Sequence, residues 1–144
     1  MLKHLLLTAL AAAFAVSMGY AEQSNRKVTI SVTKTSPTSG RQMFSSYCAP
    51  CHGVDGKGHG SVAPALKKQP ADLSVLTNNN GGKFPEQHLV AVLQFGTTNS
   101  AHGTAEMPVW GPVLGKMDPS NSQSEMKSLR ISNLTRYLES IQAK

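Results

Sequence analysis

Two thiols three residues apart, with an imidazole next in the chain, are the feature with the most chemistry in it: Cys48-Ala49-Pro50-Cys51-His52. This spacing matches covalent attachment of a c-type haem. The thiols can add to the two vinyl groups on one edge of the macrocycle, and His52 can swing beneath the ring to ligate iron. Other chemistries use the same residue types. A thioredoxin-like redox pair would need only Cys48-Ala49-Pro50-Cys51. A structural zinc site would add His52 and His59, and a plain disulfide would use the thiols alone. A thioredoxin-like pair follows a strand and opens a helix. Here the cysteines end a helical stripe and enter a loop containing Gly53, Gly56, Gly58 and Gly60. The surroundings favour haem.

A haem iron held by His52 has a sixth position. Met43, Met107, Met117, Met126, His59, His88 and His102 are the residues that could fill it. Met43 and Met126 lie on helical stripes, where methionine usually fills core. His88 sits in a helix, and His59 would have to double back from the glycine loop. Met107 stands 55 residues after His52 in Glu106-Met107-Pro108-Val109-Trp110-Gly111. Pro108 stiffens the backbone there, and Trp110 supplies apolar bulk that excludes water. Met107 is therefore the expected ligand, with Met117 and His102 next. Histidine–methionine ligation favours ferrous iron and a raised potential.

These residues need elements to hold them. Ser39 can cap a helix starting at Gly40, with Met43, Phe44 and Tyr47 as its apolar stripe. Asn78-Asn79-Asn80-Gly81-Gly82 is a turn signal. Pro85 opens a second helix carrying Leu89, Val92, Leu93 and Phe95, and Gly96 stops it. Residues 97–124 show no periodicity. Residues 124–142 form the last helix, with Met126, Leu129, Leu134, Tyr137, Leu138 and Ile141. The expectation is three helices, long loops and little strand.

The chain begins with a basic start, Met1-Leu2-Lys3-His4, then an apolar run to Val16, then Gly19-Tyr20-Ala21 before polar residues. This is the layout of a signal peptide cut after Ala21. The resulting division is a signal peptide over 1–21, an extension or linker over 22–38, and a domain over 39–144. In 22–38 the alternation of Val28, Ile30 and Val32 suggests one extended stretch. The exported protein is expected to be soluble and periplasmic. Without Lys3 it carries 13 Lys and Arg against 8 Asp and Glu. The basic residues are scattered, which excludes nucleic-acid binding and favours acidic redox partners. Lys57, Lys67, Lys68, Lys83 and Lys116 are candidates for a basic rim. Beyond residue 21 only 41 residues are apolar, one third of the remainder. So thin a stock leaves a domain of this size short of core. A large flat apolar cofactor lined by Leu66, Leu89, Leu93, Phe95 and Trp110 would make up the shortfall, and without it the domain is not expected to fold stably.

Gly40-x-x-x-Phe44 followed by Tyr47-Cys48-Ala49-Pro50-Cys51-His52-Gly53 resembles the opening of class I monohaem cytochromes c. Ala63-Pro64-Ala65-Leu66 resembles the family's loop after the attachment site, and Met107-Pro108 its axial Met-Pro. Leu134-Thr135-Arg136-Tyr137-Leu138 is similar to its last helix. The resemblance implies an all-α, small cytochrome c-like fold. Three main helices and long loops would wrap around one haem c attached through Cys48 and Cys51. It implies that the Pro64 carbonyl accepts the proton on the second ring nitrogen of His52. It also implies that Gly40, Phe44 and Tyr137 meet where the first and last helices cross. The expected function is electron transfer, with the haem cycling between Fe(III) and Fe(II) and docking to redox proteins that include membrane-bound oxidoreductases. The alternatives are a peroxidase-like or gas-binding haem protein, with His102 as the distal group, and a haem subunit of a larger oxidoreductase. The segments 22–38 and 112–123 exceed the family pattern and are the places for docking elements.

Overall fold

A computed structural model of the chain describes residues 32–96 and 107–144. Among them the regular structure is helical, with no strand. The first helical run, α1 (40–52), is followed by α2 (Leu76–Asn79), α3 (Glu86–Phe95), α4 (Trp110–Gly115) and α5 (Gln123–Ser140). Two 3-10 turns, Ala63–Ala65 and Leu73–Val75, break the long connection between α1 and α2. The expected signal peptide, with Val28 and Ile30 of the alternating stretch, lies outside the described residues. Val32 is 44% exposed.

Helix α1 is continuous but not uniform. An α-helical turn, Gly40–Met43, leads into a π-helical turn, Phe44–Cys48, and the run closes with Ala49–His52. The Ser39 hydroxyl accepts from the Gln42 amide at 3.2 Å, satisfying one of the unpartnered donors at a helix start. In the π turn the Ala49 amide bonds to the carbonyl of Phe44, five residues back. That wider turn changes the phase of the residues that follow it. Met43 before it and Phe44 and Tyr47 within it are buried, whereas Cys51 and His52 emerge half-buried after it.

Helix α5 buries Ile131, Leu134 and Leu138, three and four residues apart, on one face. It crosses α1 at Gly40. A Cβ there would lie 2.1 Å from the Asn133 carbonyl oxygen and 2.7 Å from Cβ of Tyr137, so only hydrogen fits. Beside the crossing, the rings of Phe44 and Tyr137 pack with centroids 5.3 Å apart at 48°. The three residues that the family resemblance placed at this crossing do meet there.

Helix α3 starts after Pro85 and ends before Gly96, turning Leu89 and Leu93 inward. Phe95 departs from expectation: it is 70% exposed. Two residues beyond Leu93, it points to nearly the opposite side of a 3.6-residue helix. Helix α4 lies in a segment that showed no periodicity. Its two glycines and Pro112 weaken intrinsic helicity, but Pro112 stands in the first turn, where its missing amide costs no hydrogen bond. The helix forms because Trp110 and Leu114, four residues apart, are both buried.

Part of the stretch expected as a linker is packed. Thr35 is buried, and its carbonyl accepts from Arg130 Nη1 at 2.9 Å. The Pro37 carbonyl accepts from Asn133 Nδ2 at 3.1 Å. Arg130, fully buried, also places Nε 3.1 Å and Nη2 3.0 Å from Asp118 Oδ2. Lys34 pairs with the other oxygen of Asp118 at 3.2 Å. A buried guanidinium is tolerated only when paired in this way. The Arg130 hydrogen bond, with Lys34 beside it, holds the Asp118 carboxyl below the usual carboxylate range.

Candidate functional site

The attachment helix ends in carbonyls that need partners, and the loop after it supplies them by folding back. The amide of Gly58 donates to the carbonyl of His52 at 2.6 Å, Gly60 to Cys51 at 3.0 Å, and Val62 to Pro50 at 2.9 Å. Gly58 has φ +85°, and a Cβ on it would lie 2.3 Å from the Pro70 carbonyl oxygen. The amide of Leu73 then bonds to the Gly56 carbonyl at 2.7 Å, and Asp72 caps the next turn through the Ser74 amide at 2.8 Å.

This return path brings the carbonyl of Ala71 to His52, 2.9 Å from Nδ1. Pro64, expected to provide that acceptor, does not. It is exposed in the 3-10 turn Ala63–Ala65, while the loop meets the imidazole further on, just before the Asp72 cap. An N–H at Nδ1 donating to Ala71 leaves Nε2 as the lone-pair donor of the ring. Burial holds the His52 ring below the usual imidazole range, partly offset by the Ala71 carbonyl. A neutral imidazole with its second nitrogen hydrogen-bonded to a backbone carbonyl is the form that ligates metal well.

Cys48 is buried and Cys51 half-buried, and no disulfide joins them. Burial, with Cys51 adding to it, pushes the Cys48 thiol up to about 12, and burial raises Cys51 too. Both stay protonated near neutral pH, the opposite of an activated redox thiolate. Among the described residues no three His, Cys, Asp or Glu side chains gather as a metal site, so the four zinc donors weighed from the sequence do not converge. His59 lies exposed on the loop with Nδ1 3.4 Å from Gln69 Nε2. Two thiols three residues apart and a neutral imidazole next in the chain, at one helix end, are the donor set that a covalently held haem requires.

Met107 is half-buried against the core cluster. Trp110 is 4% exposed and stacks on Tyr47, centroids 5.6 Å apart at 27°. The sulfur of Met117 lies 3.5 Å from the Tyr47 hydroxyl oxygen. His102 lies outside the described residues. Lys57, Lys67, Lys68, Lys83 and Lys116 are all exposed.

A family model described as "Cytochrome C oxidase, cbb3-type, subunit III" matches residues 35–121, well over half the chain. The chain belongs to this family. It is a monohaem c-type cytochrome, and domains of this kind carry out haem electron transfer. No curated protein and no solved structure matches it. No helix among the described residues is long and apolar enough to cross a membrane. Two participants in the site escaped the sequence reading. Ala71 acts through its backbone carbonyl, which any residue carries, so no side-chain signal marks it. Tyr47 was legible as a member of the apolar stripe, but its stacking partner lies 63 residues away and only the fold brings the two together.

Proposed function

We propose that this cytochrome is an electron carrier with one haem c, joined through Cys48 and Cys51 and held by His52 and Met107 in an extracytoplasmic electron-transport chain. The bound haem supplies one-electron exchange between Fe(III) and Fe(II). The observation that carries the reading is the His52 ring, oriented through Nδ1 by Ala71 at the end of the two-thiol helix. The thiols fix the cofactor covalently, and the Ala71 carbonyl keeps the imidazole in one tautomer and one orientation. Met107, Pro108 and Trp110 are the segment that supplies the sixth ligand and excludes water. Met117 and His102 are the rivals for that position. The contact of the Met117 sulfur with the Tyr47 hydroxyl, beside Thr33 and Thr35, disfavours Met117. With His52 and Met107 both holding the iron, no position would be left for oxygen or peroxide, so an enzymatic role takes second place. The exposed lysines suit acidic redox partners. A second reading, a haem subunit of a membrane-bound oxidoreductase, is favoured by the family description, which names an oxidase subunit. Export through a signal peptide over 1–21 completes the proposal.

Absorption spectra of the oxidised and reduced protein test it. A far-red iron–sulfur band is expected in the oxidised wild type and lost in Met107→Ala. Retention of that band in the variant would eliminate Met107 as ligand. Rapid carbon monoxide binding by the reduced wild type would instead favour the enzyme reading.

A further inference from the structure

We propose that Tyr47 is a positioning residue for the sixth ligand, holding the Met107 segment at a set distance from the attachment helix. The inference rests on the His52/Met107 reading. Tyr47 immediately precedes Cys48, so its backbone is fixed to the attachment site. Its ring is 1% exposed and stacks on Trp110, three residues after Met107 with the stiff Pro108 between. The position of that ring therefore sets where the chain leaving Met107 can run.

The hydroxyl fixes the ring in turn. Its oxygen lies 2.5 Å from the Thr33 carbonyl, 2.9 Å from Thr35 Oγ1 and 3.5 Å from Met117 Sδ. A phenol has one proton, and the short contact to the Thr33 carbonyl takes it. The Thr35 hydroxyl can donate to the phenol oxygen, and the Met117 sulfur is left in contact without a proton. Thr35 is itself tied to Arg130 through its carbonyl. Phenylalanine would fill the same volume. The buried hydroxyl adds partners on the packed 33–35 segment, and a satisfied buried polar group selects one orientation of its ring. Tyr47 thus touches the Met107 segment near its start, through Trp110, and the rival sulfur at Met117.

The test uses the haem-loaded full-length protein and two readouts: the rate of carbon monoxide binding to the ferrous form and the pH at which the far-red band is lost. In Tyr47→Leu the rate should rise about fivefold, the middle of the roughly two- to twelvefold population change that a lost aromatic pair carries, and the band should vanish at lower pH. Tyr47→Phe keeps the stack and loses only the hydroxyl's partners, so its rate should fall between those of the wild type and Tyr47→Leu. Ile131→Ala, a core truncation on α5 that leaves both stacked rings and the Tyr47 hydroxyl partners in place, should lower the melting temperature without moving either readout. If Tyr47→Leu does not fold, Trp110→Leu removes the other half of the stack and should show the same fivefold rise. A wild-type rate and band in Tyr47→Leu, or equal shifts in Ile131→Ala, would overturn the positioning role while leaving the ligand assignment standing. A far-red band that survives Met107→Ala overturns both.

Discussion

At His52 a backbone carbonyl does work that no side chain advertises. The Ala71 oxygen sits 2.9 Å from Nδ1, and its position depends on the loop reaching Pro70 and Ala71 by the correct path. Gly58 controls that path. Its φ of +85° is a left-handed conformation that side chains rarely adopt, and the Pro70 carbonyl leaves no room for a Cβ. Gly58→Ala should therefore cost about 1–3 kcal/mol, read as a lower denaturant midpoint. If the midpoint is unchanged, the loop is not held at this point. Because Pro64 is exposed and Nδ1 of His52 pairs with Ala71 instead, Pro64→Ala should leave the spectrum of the oxidised protein as it is. A shifted spectrum would return Pro64 to the site.

Among the elements, α1 and α5 are locked together at Gly40, and the 33–37 segment is locked to α5 by Arg130 and Asn133. Gly40→Ala should force the helices apart and destabilise the protein by about 1–3 kcal/mol, seen as a lower melting temperature with haem still attached. The contact between Arg130 and Asp118 carries a pH dependence with a definite sign. The Asp118 carboxyl titrates below the usual carboxylate range when folded. The ion contact therefore contributes stability above the unfolded value of about 3.9 and loses it as pH falls through the lower folded value. Asp118→Asn should lower the melting temperature at pH 7, and the difference from wild type should shrink in strong acid. A difference constant down to pH 2 would show that the ion contact has no part in stability.

Across the molecule the apolar side chains are unevenly distributed. One cluster joins α1, α3, α4 and α5 through Phe44, Tyr47, Leu93, Trp110, Leu114, Leu134 and Leu138. Over 53–72 the only buried residue other than glycine is Ala63. That loop has backbone hydrogen bonds to the attachment helix but almost no core of its own, so dependence on haem should be concentrated there. In a Cys48→Ala/Cys51→Ala variant made without haem, trypsin should cut first after Lys57, Lys67 and Lys68, three exposed sites in this loop. Equal resistance to trypsin with and without haem would mean that the loop is ordered by its hydrogen bonds alone.

The sequence by itself determined the chemistry and the frame. Cys48, Cys51 and His52 fall within five residues of chain, and the three helices observed over 40–52, 86–95 and 123–140 follow, to within a few residues at their ends, from local periodicity and stop residues. That Gly40, Phe44 and Tyr137 meet was implied by the resemblance to class I cytochromes c and by no local pattern, and the contacts at Gly40 and between the two rings give its physical reason. Tertiary structure decided what depends on contacts between distant segments. It turned Trp110–Gly115 helical despite two glycines and a proline, because burying Trp110 and Leu114 outweighs weak propensity. It left Phe95 exposed, because the helical phase is set by what the opposite face packs against. It chose Ala71 over Pro64, because the path of a loop rich in glycine is fixed by where its ends are tied and not by its side chains.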